Sequence, residues 1–267
     1  MSQVLNSDRR RLTLAAGGLV GLQALIACGG GDDDAIATAP VPAPAPAESR
    51  LYALLIDIVD PSKFEAVLPA HAAWLDNKFK QGVFLVTGGF EGVPKAFAMF
   101  HAANQAAAEA VMADEPFRLA GVAKQEILDY NPRFINAGFA PVAKYAGAST
   151  TTEFVAPIAP GNLYVMLIDI IAPQPEFEKL LPKHIPWLES KFKLGVFAGS
   201  GGLGPGPRAL AFVKAPSVAT AQAWLAEDPL VIDAAVTQQL LQFTPRFHAP
   251  AFTAVVAGTP SVEVQPK

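Results

Sequence analysis

The sequence predicts an α+β chain built from two tandem ferredoxin-like modules. Three observations carry that expectation. The segment LPAHAAWLDNKFKQGVF, Leu68 to Phe84, returns as LPKHIPWLESKFKLGVF, Leu181 to Phe197, with eleven of seventeen positions identical. An internal repeat sets the unit of architecture, and here the unit is roughly a hundred residues, the size of a small domain. Within each unit, short apolar runs alternate with helical periodicity in the order strand, helix, strand, strand, helix, strand. Apolar residues make up 51% of the chain and charged residues only 16%, a composition that supports a packed core.

The N-terminus reads as a leader outside the fold. Arg9-Arg10-Arg11 is a basic start, and the apolar run from Leu12 to Ala27 is short and rich in glycine. Residues 1–27 are therefore assigned as a signal peptide, with the arginines resembling a twin-arginine export signal. Leu25-Ile26-Ala27-Cys28 resembles a bacterial lipobox, and Cys28 is the single cysteine of the chain. Lipid attachment at Cys28 is expected, with a plain secretory signal as the alternative. Gly29 after the cysteine leans toward the outer membrane. Residues 28–49, a Gly/Asp stretch followed by Ala-Pro repeats, form a linker of extended, solvated character.

Module one spans residues 50–146. Leu51–Ile58 is its first buried strand, ended by Pro61, and Asp57 is read as a turn residue. Phe64, Leu68, His71, Leu75 and Phe79 lie on one helical face. Pro69 argues against an undisturbed helix, so the main helix is expected to begin near it, placing His71 near a helix N-terminus. Gly82 stops that helix. Val83–Thr87 is a second strand, and the glycines from Gly88 to Gly92 read as a turn. Lys95–His101 is a third strand, Asn104–Ala113 a helix, and Glu126–Tyr130 a last strand closed by Pro132-Arg133-Phe134.

Module two, residues 162–258, repeats these features after a linker at 147–161 and before a tail at 259–267. Its strands are Leu163–Ile170, Val196–Ala198, Arg208–Lys214 and Gln239–Phe243, the last closed by Pro245-Arg246-Phe247. Its first helix is expected from near Ile185, because of Pro182 and Pro186, with His184 at its start. Similarity continues to Phe139 and Phe252, which suggests an extra terminal strand in each module.

Several function classes find no support. Net charge is −4 and no Lys/Arg run marks a nucleic-acid binder. The glycine-rich turns lack the Gly-Lys-Ser/Thr ending of a phosphate loop. One cysteine and no His-x-x-x-His spacing argue against a metal site, and no cofactor is expected.

An apolar first strand, a Pro-x-His-x-x-Trp-Leu helix, a strand ending in Gly-Gly and an Asp-Pro after an alanine-rich helix resemble the YciI-like (YCII-related) proteins. The resemblance covers both modules. It implies a ferredoxin-like fold paired as a dimeric α/β barrel, closed here within one chain. It also implies a His and Asp pair facing a pocket. By position the pairs are His184 with Asp228, which keeps the Asp-Pro form and makes module two the favoured site, and His71 with Glu115, where the aspartate, Asp114, is one position earlier: either that dyad is His-Glu or the first site has drifted.

A histidine beside a carboxylate suits general acid–base catalysis, since its pKa of about 6.5 makes both protonation states reachable. The expected activity is proton transfer on a small organic acid or lactone. The alternative is a non-catalytic ligand-binding or assembly lipoprotein in which the modules are a scaffold. Equally, His71 and His184 on apolar helix faces are candidates for core packing, and Glu115 and Asp228 for helix capping. Arg133 and Arg246 are candidates for binding an anionic ligand or for pairing between modules. The expected partners are a small molecule, the other module, and a membrane through the Cys28 anchor alone. The expected location is the periplasmic side of the bacterial envelope, soluble if the lipid is absent.

Overall fold

A computed structural model of the chain describes residues 49–147 and 151–267. The expected leader and Cys28 lie outside those residues. The first half runs β1 (Arg50–Ile58), α1 (Phe64–Lys80), β2 (Phe84–Phe90), β3 (Lys95–Ala102), α2 (Gln105–Met112), α3 (Pro116–Leu119) and β4 (Ala123–Asn136). A short helix α4 (Ala140–Ala143) and strand β5 (Thr152–Phe154) follow. The second half repeats the order as β6 (Asn162–Ile170), α5 (Gln174–Lys193), β7 (Phe197–Leu203), β8 (Arg208–Ala215), α6 (Val218–Leu225), α7 (Pro229–Ile232) and β9 (Val236–His248). It ends with α8 (Thr253–Val256) and β10 (Val262–Glu263).

Eight antiparallel strands close into a barrel in the order β1-β3-β2-β9-β6-β8-β7-β4, with β4 returning to β1. Each half contributes a four-stranded sheet, and the described residues of both halves fall in one compact unit. The middle of the barrel interior is filled with side chains, and a cavity of about 280 Å³ remains at one mouth, lined by Leu55, Leu167, Gln239 and Leu241. Phe97 on β3 and Phe212 on β8 belong to opposite strands of the ring, yet their centroids are 5.8 Å apart. Phe90, Tyr130, Phe243 and Phe252 pack around them, edge-on in most pairs, as aromatic quadrupoles favour. The helices lie on the outer face, where α1 packs Phe79 and Trp74 against Phe84.

Three features depart from the sequence expectation. First, β4 and β9 do not stop before their prolines. β4 pairs with β1 up to Tyr130 and then, from Tyr130 to Ile135, with β7 of the other half. β9 does the same, moving from β6 to β2. Pro132 and Pro245 are tolerated because a bulge interrupts the ladder just there. Arg133 and Arg246 are the extra residues, since Pro132 opposes Gly201 and Phe134 opposes Ser200, while Pro245 opposes Gly88 and Phe247 opposes Thr87.

Second, the glycine pairs lie inside β2 and β7, not in turns. A Cβ on Gly88 would overlap the Thr244 carbonyl oxygen and come within 2.7 Å of the Pro245 Cα. One on Gly201 would overlap the Asn131 carbonyl and reach 2.6 Å from the Pro132 Cα. Gly89 and Gly202 have nothing within 4 Å. So the first glycine of each pair lets two backbones approach at the seam between halves.

The helices also begin earlier than expected. α1 and α5 run through Pro69, Pro182 and Pro186 without interruption. Each proline forfeits one backbone hydrogen bond, at a cost of about 3 kcal/mol, but all three lie on the exposed side of helices whose opposite face is anchored on the sheet by Leu75, Phe79, Leu188 and Phe192. His71 and His184 therefore sit within helices, away from their N-termini. Helix-dipole effects on either ring, which their expected position implied, do not apply. Gly82 and Gly195, both at φ 72°, end the two helices.

Gly88→Ala should lower stability by about 1–3 kcal/mol through overpacking of the seam, while Gly89→Ala changes it by less than about 0.5 kcal/mol. Urea unfolding midpoints of the two variants, compared with the unsubstituted chain, check this contrast.

Candidate functional site

Each histidine meets a carboxylate, and the geometry is the same in both halves. His71 Nδ1 lies 2.7 Å from Glu115 Oε1, and His184 Nδ1 lies 2.7 Å from Asp228 Oδ1. With the carboxylate accepting, Nδ1 carries the proton and Nε2 is left with its lone pair. Both acids are nearly sealed from solvent, at 1% and 3% exposure. They are also helix caps. Glu115 accepts from the Phe117 and Arg118 N–H groups at the start of α3, and Asp228 accepts from the Leu230 N–H at the start of α7. The capping and pairing readings are thus one arrangement: the cap holds the carboxylate still, and the carboxylate holds the ring.

Glu115 has a fourth donor, Gln125 Nε2 at 2.5 Å. Burial pushes its pKa up, but the hydrogen bonds from His71, Phe117 and Arg118 outweigh that and hold it below the usual range. Glu115 therefore stays ionised beside the ring at neutral pH. Phe117 stacks on the His71 imidazole at 4.1 Å between centroids, which fixes the ring plane. Gln125 was not among the residues singled out from sequence. Its signal was available only through strand register, since it lies across from Ile56 on the outer face of the sheet.

The preceding acids differ in role. Asp114 accepts from Trp74 Nε1 at 2.8 Å and lies 3.6 Å from Lys78. Glu227, its counterpart, pairs with Lys191 at 2.6 Å, and the Trp187 N–H is left without a partner among the described residues.

Between α1 and the outer sheet face lies a cavity of about 970 Å³. His71 is in its wall with Phe64, Leu68, Leu75, Phe117 and Gln125, and Arg246 and Ser261 reach it from the second half. The structure gives His71 Nε2 no partner among the described residues. Beside His184 a smaller cavity of about 90 Å³ is lined by His184, Asp228, Trp187, Ser200 and Gln238. The ample room next to a histidine is thus in the first half, and preference for the second half on the basis of its Asp-Pro has no support in cavity size among the described residues.

Asp57 and Asp169 are ion-pair partners at one barrel mouth, with Lys95 at 2.6 Å and Arg208 at 3.5 Å. Arg208 also bridges the halves to Glu126 at 2.9 Å. Arg133 is exposed and held by an interaction of its own. Ser261, His248 and Glu263 come together, but in an arrangement unlike a charge-relay triad. Ser261 Oγ meets Nδ1 at 3.0 Å, and Glu263 is 3.6 Å from Nε2, too far for a hydrogen bond. Among the described residues, no three His, Cys, Asp or Glu side chains converge to hold a metal ion.

Residues 50–131 match the family model of the YCII-related domain. No curated protein matches the chain. Among solved structures, it is similar to the chlorite dismutase of Candidatus Nitrospira defluvii in complex with imidazole, at 12% identity and TM-score 0.46, covering 78% of this chain and 94% of that one. It is also similar to an anthrone oxidase-like protein, at 12% identity and TM-score 0.43, covering 73% and 91%. A monooxygenase-like protein from Listeria innocua matches at 8% identity and TM-score 0.37, covering 73% and 94%. At such distances the likeness says nothing about shared chemistry.

Glu115→Gln should destabilise the chain by about 2–3 kcal/mol at pH 7, since it weakens a cap and a buried charge-assisted hydrogen bond. The folded pKa is depressed, so this contribution is complete above the unfolded value of about 4.3 and is lost as pH falls through the lower folded value. Denaturant titrations of both chains from pH 7 to pH 3 should therefore converge at the acid end.

Proposed function

We propose that the protein is an acid–base enzyme that moves a proton on an organic acid or lactone bound beside His71. The observation that carries this reading is the His71–Glu115 pair in the wall of a cavity large enough for a drug-sized ligand. His71 Nε2 takes the substrate proton as general base and returns it as general acid. Glu115, kept ionised by its donors, fixes the Nδ1–H tautomer and stabilises the imidazolium that forms. The apolar walls exclude water from the carbanion or enolate that develops.

A second reading, a ligand-binding or assembly protein without turnover, draws support from the double role of Glu115 and Asp228 as helix caps. A pair required for folding persists whether or not it is used in chemistry.

Deuterium exchange separates the two readings. The purified protein, in D₂O with a panel of 2-oxo acids, unsaturated acids and lactones, should exchange a proton α to the carbonyl of at least one. His71→Gln should slow that exchange by about 100-fold or more, followed by proton NMR. Equal exchange by the variant and the unsubstituted chain, or none by either, overturns the catalytic reading.

We also infer that the chain is exported and tethered to a bacterial membrane by a lipid on Cys28. The Leu25-Ile26-Ala27-Cys28 sequence supports this, as does the acidic and proline-rich spacer after it. No helix among the described residues is long and apolar enough to cross a membrane. In a bacterial host, the full chain should incorporate labelled fatty acid and sediment with membranes, and Cys28→Ser should abolish both.

A further inference from the structure

We propose that the cavity beside His71 is a composite site that selects an elongated monoanion, with Arg246 of the second half as the residue that recognises its charged end. This rests on the reading of the cavity as a substrate site and adds the substrate class.

Charge is the first argument. Among the described residues no aspartate or glutamate lines the cavity, whereas Lys95 and Arg246 both do. Lys95 is already neutralised by Asp57 at 2.6 Å. Arg246 is exposed, and among the described residues no ion pair or hydrogen bond engages its side chain. The lining thus offers one uncompensated cation, which matches a monoanion such as a carboxylate better than a dianionic phosphate. A guanidinium forks onto a carboxylate with two parallel hydrogen bonds, so it confers orientation as well as affinity.

Placement is the second argument. Arg246 is the extra residue of the β9 bulge, between Pro245 and Phe247, which also line the cavity. The close approach of Gly88 to Pro245 sets that bulge, so the arginine is delivered by the same contact that closes the barrel. The first half alone contains His71, Glu115 and Gln125 but lacks the cation. The site is complete only with both halves present.

Length is the third argument. Along the sheet, the strands run β4, β1, β3, β2, β9. Gln125, hydrogen-bonded to Glu115, is on β4, and Arg246 is on β9, four steps away. At 4.7–4.9 Å per step, the path between them along the outer wall is about 19 Å. A cavity of about 970 Å³ has room for a body much longer than a two- or three-carbon acid. Ile56, Leu75, Phe90 and Val93 in the wall between suit an apolar chain or ring. The ligand class is therefore an acid with an extended aliphatic or aromatic body whose reacting carbon is remote from the carboxylate.

Calorimetry on the complete chain tests this with 6-phenylhexanoate, its neutral amide and acetate. The long acid should bind at least about tenfold more tightly than either the amide or acetate, and added salt should weaken the acid alone. Arg246→Met should weaken the acid by about tenfold or more, leave the amide unchanged and remove the salt dependence, whereas Arg246→Lys retains most of the affinity. Circular dichroism confirms that these exposed-site variants fold. Equal affinity for acid and amide, undiminished acid binding by Arg246→Met, or no binding of the long acid overturns the proposal. Binding does not depend on turnover. Selective acid binding without proton exchange would remove the catalytic reading alone, and exchange on other substrates without such binding would remove the anion site alone.

Discussion

The rest of the molecule depends on the contact between Gly88 and Pro245, and its counterpart between Gly201 and Pro132. Each of these contacts brings a long strand from one half against a short strand of the other. Without them, each half would be an open four-stranded sheet with two unpaired edges and one uncovered apolar face. The glycine removes the Cβ that would keep the backbones apart. The proline needs no ladder hydrogen bond at a point where the bulge interrupts the ladder. The two requirements coincide at one register position, and that is why a Gly-Gly and a Pro-Arg-Phe recur together in each copy.

Closure of the barrel has two consequences for the candidate site. It fills the middle of the interior with aromatic side chains and leaves about 280 Å³ at one mouth, while the larger space, about 970 Å³, lies outside the barrel wall, beneath α1. It also carries residues of one half into the neighbourhood of the other. Pro245, Arg246, Ser261 and Val262 line a cavity whose histidine is more than 170 positions earlier in the chain. Toward its end the chain pairs β10 with β9 and returns to α1, where the Lys267 N–H donates to the Lys80 carbonyl at 2.9 Å.

The His–carboxylate pairs show how a structural and a chemical role can share atoms. An acid at the N-cap of a four-residue helix is held by backbone donors, so its second oxygen or second lone pair is aimed without side-chain freedom. In the first half that acid is glutamate, long enough to accept four donors; in the second it is aspartate, with fewer. The exchange of Asp-Glu for Glu-Asp between copies preserves the ring contact at 2.7 Å in both. It also decides which tryptophan N–H finds a partner, since Asp114 reaches Trp74 while Glu227 turns to Lys191.

The sequence by itself determined the local elements and their order. Period-two and period-3.6 apolar patterns, caps at Asn104 and Ser217, and helix-stopping glycines are each encoded within a few residues. It also paired His71 with Glu115 and His184 with Asp228, through a resemblance in which both lie at recurring positions. Only the tertiary structure decided that α1 and α5 run through their prolines, because burial against the sheet supplies what the lost hydrogen bonds remove. Only it extended β4 and β9 past Pro132 and Pro245, because the partner strands come from the other half and leave no local trace in the chain. The cavity, and the arrival of Arg246 in it, follow from that long-range pairing, which no window of sequence contains.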